Sequence, residues 1–190
     1  ANLKSVNTLV MKASVTIPGA PFTPEATMRQ KLPNKSSFKI EANMQGQKMT
    51  LSKTTFNGNR GYSEMQGQRV EFDEKQLDEN KKVKGIFEEL YFKAEELELI
   101  SINSVNYQDA YKVKVTIDGK ESHRYYSVES GLLLSTEDTD DNNNVVTTNY
   151  GDYQSVQNIM LPFYMELPAQ KLEFKTTSVE INKEIKDSSF

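Results

Sequence analysis

The sequence has no cysteine and no tryptophan, and only one histidine among 190 residues. Without cysteine there can be no disulfide and no thiolate metal site, and the chain carries no mark of its redox compartment. The lone histidine, His123, has no HExxH context and no serine motif beside it. In a hairpin bearing lysine and glutamate, it reads as a solvated strand position. No apolar run approaches the length of a membrane span, and no basic n-region followed by an apolar h-region opens the chain. Ala1 therefore reads as the start of a processed or trimmed chain. A basic stripe is also missing: 23 Lys and Arg are scattered among 27 Asp and Glu, for a net charge of -4 and a pI near 5.2. Nucleic acid, which needs a concentrated cationic face, is excluded as a partner on that ground.

What is present is strand punctuation. Hydrophobic residues make up 36% and charged residues 26%, with a mean hydropathy of -0.65, a polar balance that suits a curved sheet with one wet face. A chain of this length predicts one domain, 1–190, with a real core. From Tyr125 to Phe163, alternating apolar and polar residues are cut by Ser130-Gly131, by an Asp/Asn cluster and by Gln157-Asn158, the pattern of an antiparallel meander.

Upstream, Leu9, Met11, Ala13, Val15 and Ile17 share one parity of a first strand, and the Pro18 to Pro24 segment must be a loop. Ala26, Met28, Gln30 and Leu32 mark a second strand, and Phe38, Ile40, Ala42 and Met44 a third. A corner at Gln45-Gly46 leads to a fourth strand with Met49 and Leu51, and Asn57 to Gly61 is a strong turn. Short pieces surround Tyr62, Val70 and Phe72. The period then changes: Asp73 is a plausible N-cap, and 73–93 predicts one or two short helices whose Ile86, Phe87, Leu90 and Tyr91 must rest on the sheet. Strands resume at Leu97 and continue to Ile181, for about eleven in all.

Candidate chemistry is sparse. Asp138, Asp140 and Asn142 match the first positions of a calcium loop, but Asn143 and Asn149 stand where glycine and glutamate are needed, so a polar hairpin tip is preferred and no metal is expected. Glu95, Glu96 and Glu98 offer carboxylates, yet nothing converges them into an acid/base pair. Asn34-Lys35-Ser36 fits a glycosylation sequon of the kind that occurs by chance. The methionines are more pointed: Met11, Met28, Met44, Met49 and Met165 all fall on apolar strand parities. Methionine serves both as core filler and as an adaptable surface for variable apolar ligands.

Three motifs carry a resemblance. Tyr150, Asp152 and Tyr153, then Leu161, Pro162 and Phe163, then Ile181, Asn182, Ile185, Asp187, Ser188 and Phe190 follow the order Y-x-D-Y, L/F-P-F and I-N-x-x-I-x-D-S-x-F. Upstream, KLPNKSSFKIEA and TFNGNRGY complete the pattern. The chain thus resembles the outer-membrane lipoprotein-sorting (LolA-like) proteins of the Bacteroidetes type, over most of its length.

That resemblance implies a mainly β (α+β) fold, an open antiparallel half-barrel whose concave face is covered by short helices. It also implies a non-enzymatic, cofactor-free carrier of the periplasm or cell envelope that binds lipid acyl chains or lipoproteins and meets an outer-membrane receptor or envelope protein. The alternative is a protein-interaction or accessory domain of a larger envelope protein, such as one appended to a zinc-peptidase-like protein. The apolar cavity would be lined by Met11 and Val15 of the first strand, Met28 of the second, and Phe38, Ile40 and Met44 of the third. Met49 and Leu51 of the fourth would join them, with Ile86, Phe87 and Leu90 of the insertion and Val113, Val115, Phe163 and Met165 of later strands. Two departures stand out. Leu32 replaces the arginine that precedes Pro33 in the family, leaving Lys31 and Lys35 nearby, and the amphipathic helix ahead of the first strand is not seen.

Overall fold

The computed structural model describes residues 3–44, 46–140 and 142–190, so Gln45 of the expected corner, Asp141 of the acidic tract and Ala1 lie outside the described residues. Period-2 patterning dominates, and thirteen strands form: β1 (Thr8–Thr16), β2 (Glu25–Lys31), β3 (Lys35–Met44), β4 (Gln47–Phe56), β5 (Gly61–Met65), β6 (Gln68–Glu71), β7 (Leu97–Val105), β8 (Gln108–Ile117), β9 (Lys120–Ser127), β10 (Leu133–Thr139), β11 (Val145–Val156), β12 (Ile159–Leu167) and β13 (Leu172–Ile181). The count exceeds eleven because the pieces around Tyr62 and Val70 pair fully as a hairpin. Strand order is β6-β5-β4-β3-β2-β1-β13-β12-β11-β10-β9-β8-β7, an antiparallel sheet with β6 and β7 as edges rather than a closed barrel.

The expected helical insertion divides in two. Asp73 caps α1 (Glu74–Lys82) through a capping box: its carboxylate accepts from Gln76 N at 2.8 Å, and Gln76 Oε1 accepts from Asp73 N at 3.1 Å. No residue of α1 is buried, and the chain continues as a 3-10 turn at Glu88–Tyr91. Among the described residues no helix is long and apolar enough to cross a membrane.

The chain falls into two compact units: Ala1–Tyr91 with Gln154–Leu161 and Phe174–Phe190, and Phe92–Tyr153 with Pro162–Glu173. The first has its core at Val6, Leu9, Ile159, Leu161 and Ile181. The second packs Ala110, Tyr125 and Leu134, with Val105 against them.

In the first unit, cross-strand partners, which point to the same face, divide the strands cleanly. Met11 opposes Met28, Met28 opposes Phe38, and Phe38 opposes Thr54, so these share one face with Leu9, Ala26 and Ile40. The opposite face carries Thr8, Thr27, Ser37 and Thr55, all buried although polar. The C-terminal segment runs across that face. Thr8 donates its hydroxyl to Lys183 O at 2.7 Å, Asn182 Oδ1 accepts from Asn7 N at 2.7 Å, and Lys31 Nζ donates to Ile185 O at 3.0 Å. Asp187 then ties the segment down through Lys31 at 2.7 Å and Lys35 at 2.8 Å. Those hydrogen bonds hold the Asp187 carboxyl at about 2, below its ordinary 3.8. The two lysines flanking the Leu32-Pro33 departure thus hold the end of the chain.

Candidate functional site

Two features of the first unit are organised beyond ordinary packing, one on each face. The first is the methionine face. Between Ile40 and Glu41 the β3–β4 register shifts, so that Ile40 opposes Ser52 while Glu41 opposes Thr50, leaving Leu51 as the extra residue of a bulge. Without that insertion Met49 would point to the polar side. With it, Met49 opposes Ala42 and joins the Met11–Met28–Phe38 face. Farther out, Ser52 opposes Met65 and Ser63 opposes Val70, which brings Met65 and Val70 onto the same face.

The face is closed at one end and open at the other. Ile86 and Phe87 pack with Met11 and Met28 against the Val6–Leu9–Ile159–Leu161–Ile181 cluster, and the Phe38 and Phe174 rings meet at 6.2 Å. Toward β6, Met49 is 50% exposed, Met65 66% and Val70 68%, and Met44 is open as well. Of the predicted cavity residues, Met11, Met28, Ile86 and Phe87 therefore converge, Met44 and Met49 stand in solvent, and Val15 is sealed inside. Leu90 is half-buried and donates its backbone N–H to Phe87 O. Ile40 and Leu51 are half-buried at the bulge. In the second unit Val115 is buried, and Val113, Phe163 and Met165 are half-buried. Sequence reasoning missed Met65 and Val70. The Met65–Gln68 hairpin turn held the signal, since it places both on the parity of Ser63.

The second feature is a cleft of about 690 Å³ on the opposite, polar side of β4–β6. Lys53 opposes Glu64 and Thr55 opposes Tyr62, while Tyr62 opposes Glu71 and Glu64 opposes Arg69, so these side chains share that side. Lys53 Nζ donates to the Tyr62 hydroxyl at 2.6 Å, and the Arg69 guanidinium lies 3.5 Å over the Tyr62 ring. Arg69 also grips Glu71, with Nη2 at 2.7 Å and Nε at 2.8 Å from the same oxygen. Arg60 joins from the Asn57–Gly61 turn, where Asn57 Oδ1 accepts from Arg60 N at 2.9 Å. Leu77 of α1 lines this cleft, whereas Ile86 and Phe87 of the insertion pack against the apolar cluster of the first unit.

The remaining sequence candidates are engaged in ion pairs or turns. Asp140 accepts from Asn142 N and Asn144 N, both at 2.8 Å, and Asp138 from Arg124 at 2.9 Å, which makes the acidic tract a hairpin tip. Hydrogen bonds from Asn144 lower the Asp140 carboxyl below its ordinary value. Glu98 pairs with Lys114 and Glu96 with Lys93. His123 Nδ1 lies 3.6 Å from Glu137, which accepts the Tyr125 hydroxyl at 2.8 Å. Burial raises Tyr125, and its hydrogen bond raises Lys112. Both stay protonated, so the cluster is a ladder of donors on one carboxylate rather than a poised base. Among the described residues no group of three or more His, Cys, Asp or Glu could hold a metal ion.

No family model matches the sequence, and no curated protein does. Solved structures do match in fold. A DUF1329 family protein from Desulfovibrio piger aligns with a TM-score of 0.62 at 12% identity, covering 99% of this chain and 91% of that one. A LolA superfamily protein from Nitrosomonas europaea gives 0.58 at 12%, covering 97% and 90%. A domain provisionally described as an outer membrane lipoprotein-sorting protein, from Vibrio parahaemolyticus, gives 0.54 at 9%, covering 97% and 88%. The fold is LolA-like: an open, mainly β antiparallel sheet with, among the described residues, one α-helix.

Proposed function

We propose that this protein is a non-enzymatic carrier of the bacterial cell envelope that shelters acyl chains on the methionine face of β1–β6, in the periplasm and in the service of outer-membrane lipoprotein sorting. The observation that carries the reading is the register, which collects Met11, Met28, Met44, Met49 and Met65 on one face, roofed by Ile86 and Phe87 at one end and open at the other. Unbranched thioethers adapt to a flexible chain better than branched side chains do. An acyl group leaving water for such a surface gains about 0.8 kcal/mol per methylene. Release follows when the Ile86–Phe87 segment lifts. The LolA-like fold supports the same reading, since two of its matches carry lipoprotein-sorting or LolA descriptions. Delipidated protein titrated with a fluorescent fatty acid should take it up saturably and yield it to unlabelled fatty acid. No saturable uptake would sink the reading.

A second reading, an accessory domain that binds a protein partner, is favoured by β7. This edge strand leaves Leu99 64% and Ile102 59% exposed, and a bulge after Leu99 keeps both on the face of Val113 and Tyr111. An unpaired apolar edge can accept a strand from another chain. Native mass spectrometry of protein purified from its own envelope separates the two readings: a co-purifying lipid favours the carrier, a co-purifying polypeptide the accessory domain.

A further inference from the structure

The methionine face accounts for one side of the first unit. The cleft on the other side has a different chemistry. Among side chains its walls hold three cations, Lys53, Arg60 and Arg69, and one carboxylate, Glu71, in a chain whose net charge is -4. Glu71 is occupied by Arg69. Glu64 stands opposite Lys53 in the register but does not line the cleft, and among the described residues no carboxylate pairs with Lys53 or Arg60. Two cations therefore face the cleft without a carboxylate counter-charge, and a concave site of one sign concentrates ligands of the other.

The donors match a particular anion. A forked guanidinium, a compact ammonium and the hydroxyls of Tyr62 and Ser188 offer more hydrogen bonds than one carboxylate can accept, and they suit the several oxygens of a phosphate. The volume, about 690 Å³, belongs to the range of organic ligands rather than that of a bare ion. Phe72 and Leu77 supply an apolar wall for the organic part.

We propose that this cleft is a binding site for a phosphate ester, in which Lys53 and Arg60 hold the phosphate and Phe72 and Leu77 flank the group it is attached to. Such a ligand has two sources, a soluble ester or the headgroup of an anionic phospholipid, and the test distinguishes them. Glycerophosphate and inorganic phosphate are titrated by calorimetry, and binding to phosphatidylcholine vesicles with and without phosphatidylglycerol is measured by flotation. Each is done with wild type, Lys53→Gln, Arg60→Gln and, as a charge control outside the cleft, Lys48→Gln. A soluble-ester site binds glycerophosphate saturably and more tightly than phosphate. A headgroup site binds only the vesicles that contain phosphatidylglycerol. In either case Lys53→Gln and Arg60→Gln each weaken binding about tenfold, the worth of one charge-assisted hydrogen bond, and Lys48→Gln leaves it unchanged. The proposal is overturned if no probe binds, if inorganic phosphate binds as tightly as the ester, or if Lys48→Gln weakens binding as much as the cleft variants. Should Lys53→Gln fail to fold, Arg60→Gln decides alone, because Arg60 is exposed on a turn. Fatty-acid uptake stays at the wild-type level in both cleft variants, since the methionines lie on the other face, so this site and the carrier reading stand or fall separately.

Discussion

Replacing Met49 and Met65 together by serine removes the two thioethers that the register carries onto the open end of the apolar face. In the free protein Met49 keeps 50% and Met65 66% of its surface in water, and a bound acyl chain would cover that remainder. Full burial of a methionine side chain is worth about 1.5–3 kcal/mol, so covering half of one and two-thirds of the other contributes about 2 kcal/mol to binding. At 1.4 kcal/mol per decade, the double variant should bind a fluorescent fatty acid about 30-fold more weakly. Its stability should change little, because exposed positions away from caps and ion pairs move it by roughly 0.5 kcal/mol or less. The control is Leu99→Ser with Ile102→Ser on edge strand β7, which removes comparable exposed apolar surface from the second unit. Urea melts establish folding, and fluorescence titration gives the affinity. Unchanged affinity in the methionine variant, or an equal loss in the β7 variant, would refute the placement of the acyl site.

Phe87→Ala should destabilise the first unit by about 2 kcal/mol, less than a fully buried phenylalanine costs because Phe87 is only half-buried against the Leu9–Ile181 cluster; a urea midpoint measures it. Gly61→Ala forces a methyl group to within 2.3 Å of the Phe72 ring and 2.8 Å of the Thr55 carbonyl, and with backbone on one side it should cost about 1–3 kcal/mol at unchanged m-value. Asp187→Asn tests the C-terminal clasp. The carboxyl is depressed from 3.8 to about 2 by Lys31 and Lys35, so its contribution is complete above the unfolded value and fades as pH falls through the folded one. Thermal melts should place the variant below wild type at neutral pH, with the gap closing as pH approaches about 2; a gap of constant size would contradict the linkage.

Much of the fold was legible because strands announce themselves by alternation. Leu9-Met11-Ala13-Val15, Ala26-Met28 and Phe38-Ile40-Ala42 were each read on the correct parity, and Asp73 announced its helix by its place before a polar run. The Met49 position was legible in outcome but not in cause, because local parity cannot reveal that a bulge at Leu51 is needed to turn it. The burial of the Thr27, Ser37 and Thr55 hydroxyls has no local signal in the sequence. On that side a segment more than a hundred residues later in the chain is held by Thr8 and Lys31.

By itself, then, the sequence determined which stretches extend, where they turn and which parity of each is apolar, since those follow from neighbours two residues apart. The tertiary structure decided which end of the apolar face is roofed by Ile86 and Phe87 and which is left to water. It also brought Lys53 of β4, Arg60 of a turn and Arg69 of β6 to one cleft. Register, bulges and the path of the chain end set those juxtapositions, and they are properties of pairs far apart in sequence, which no local pattern encodes.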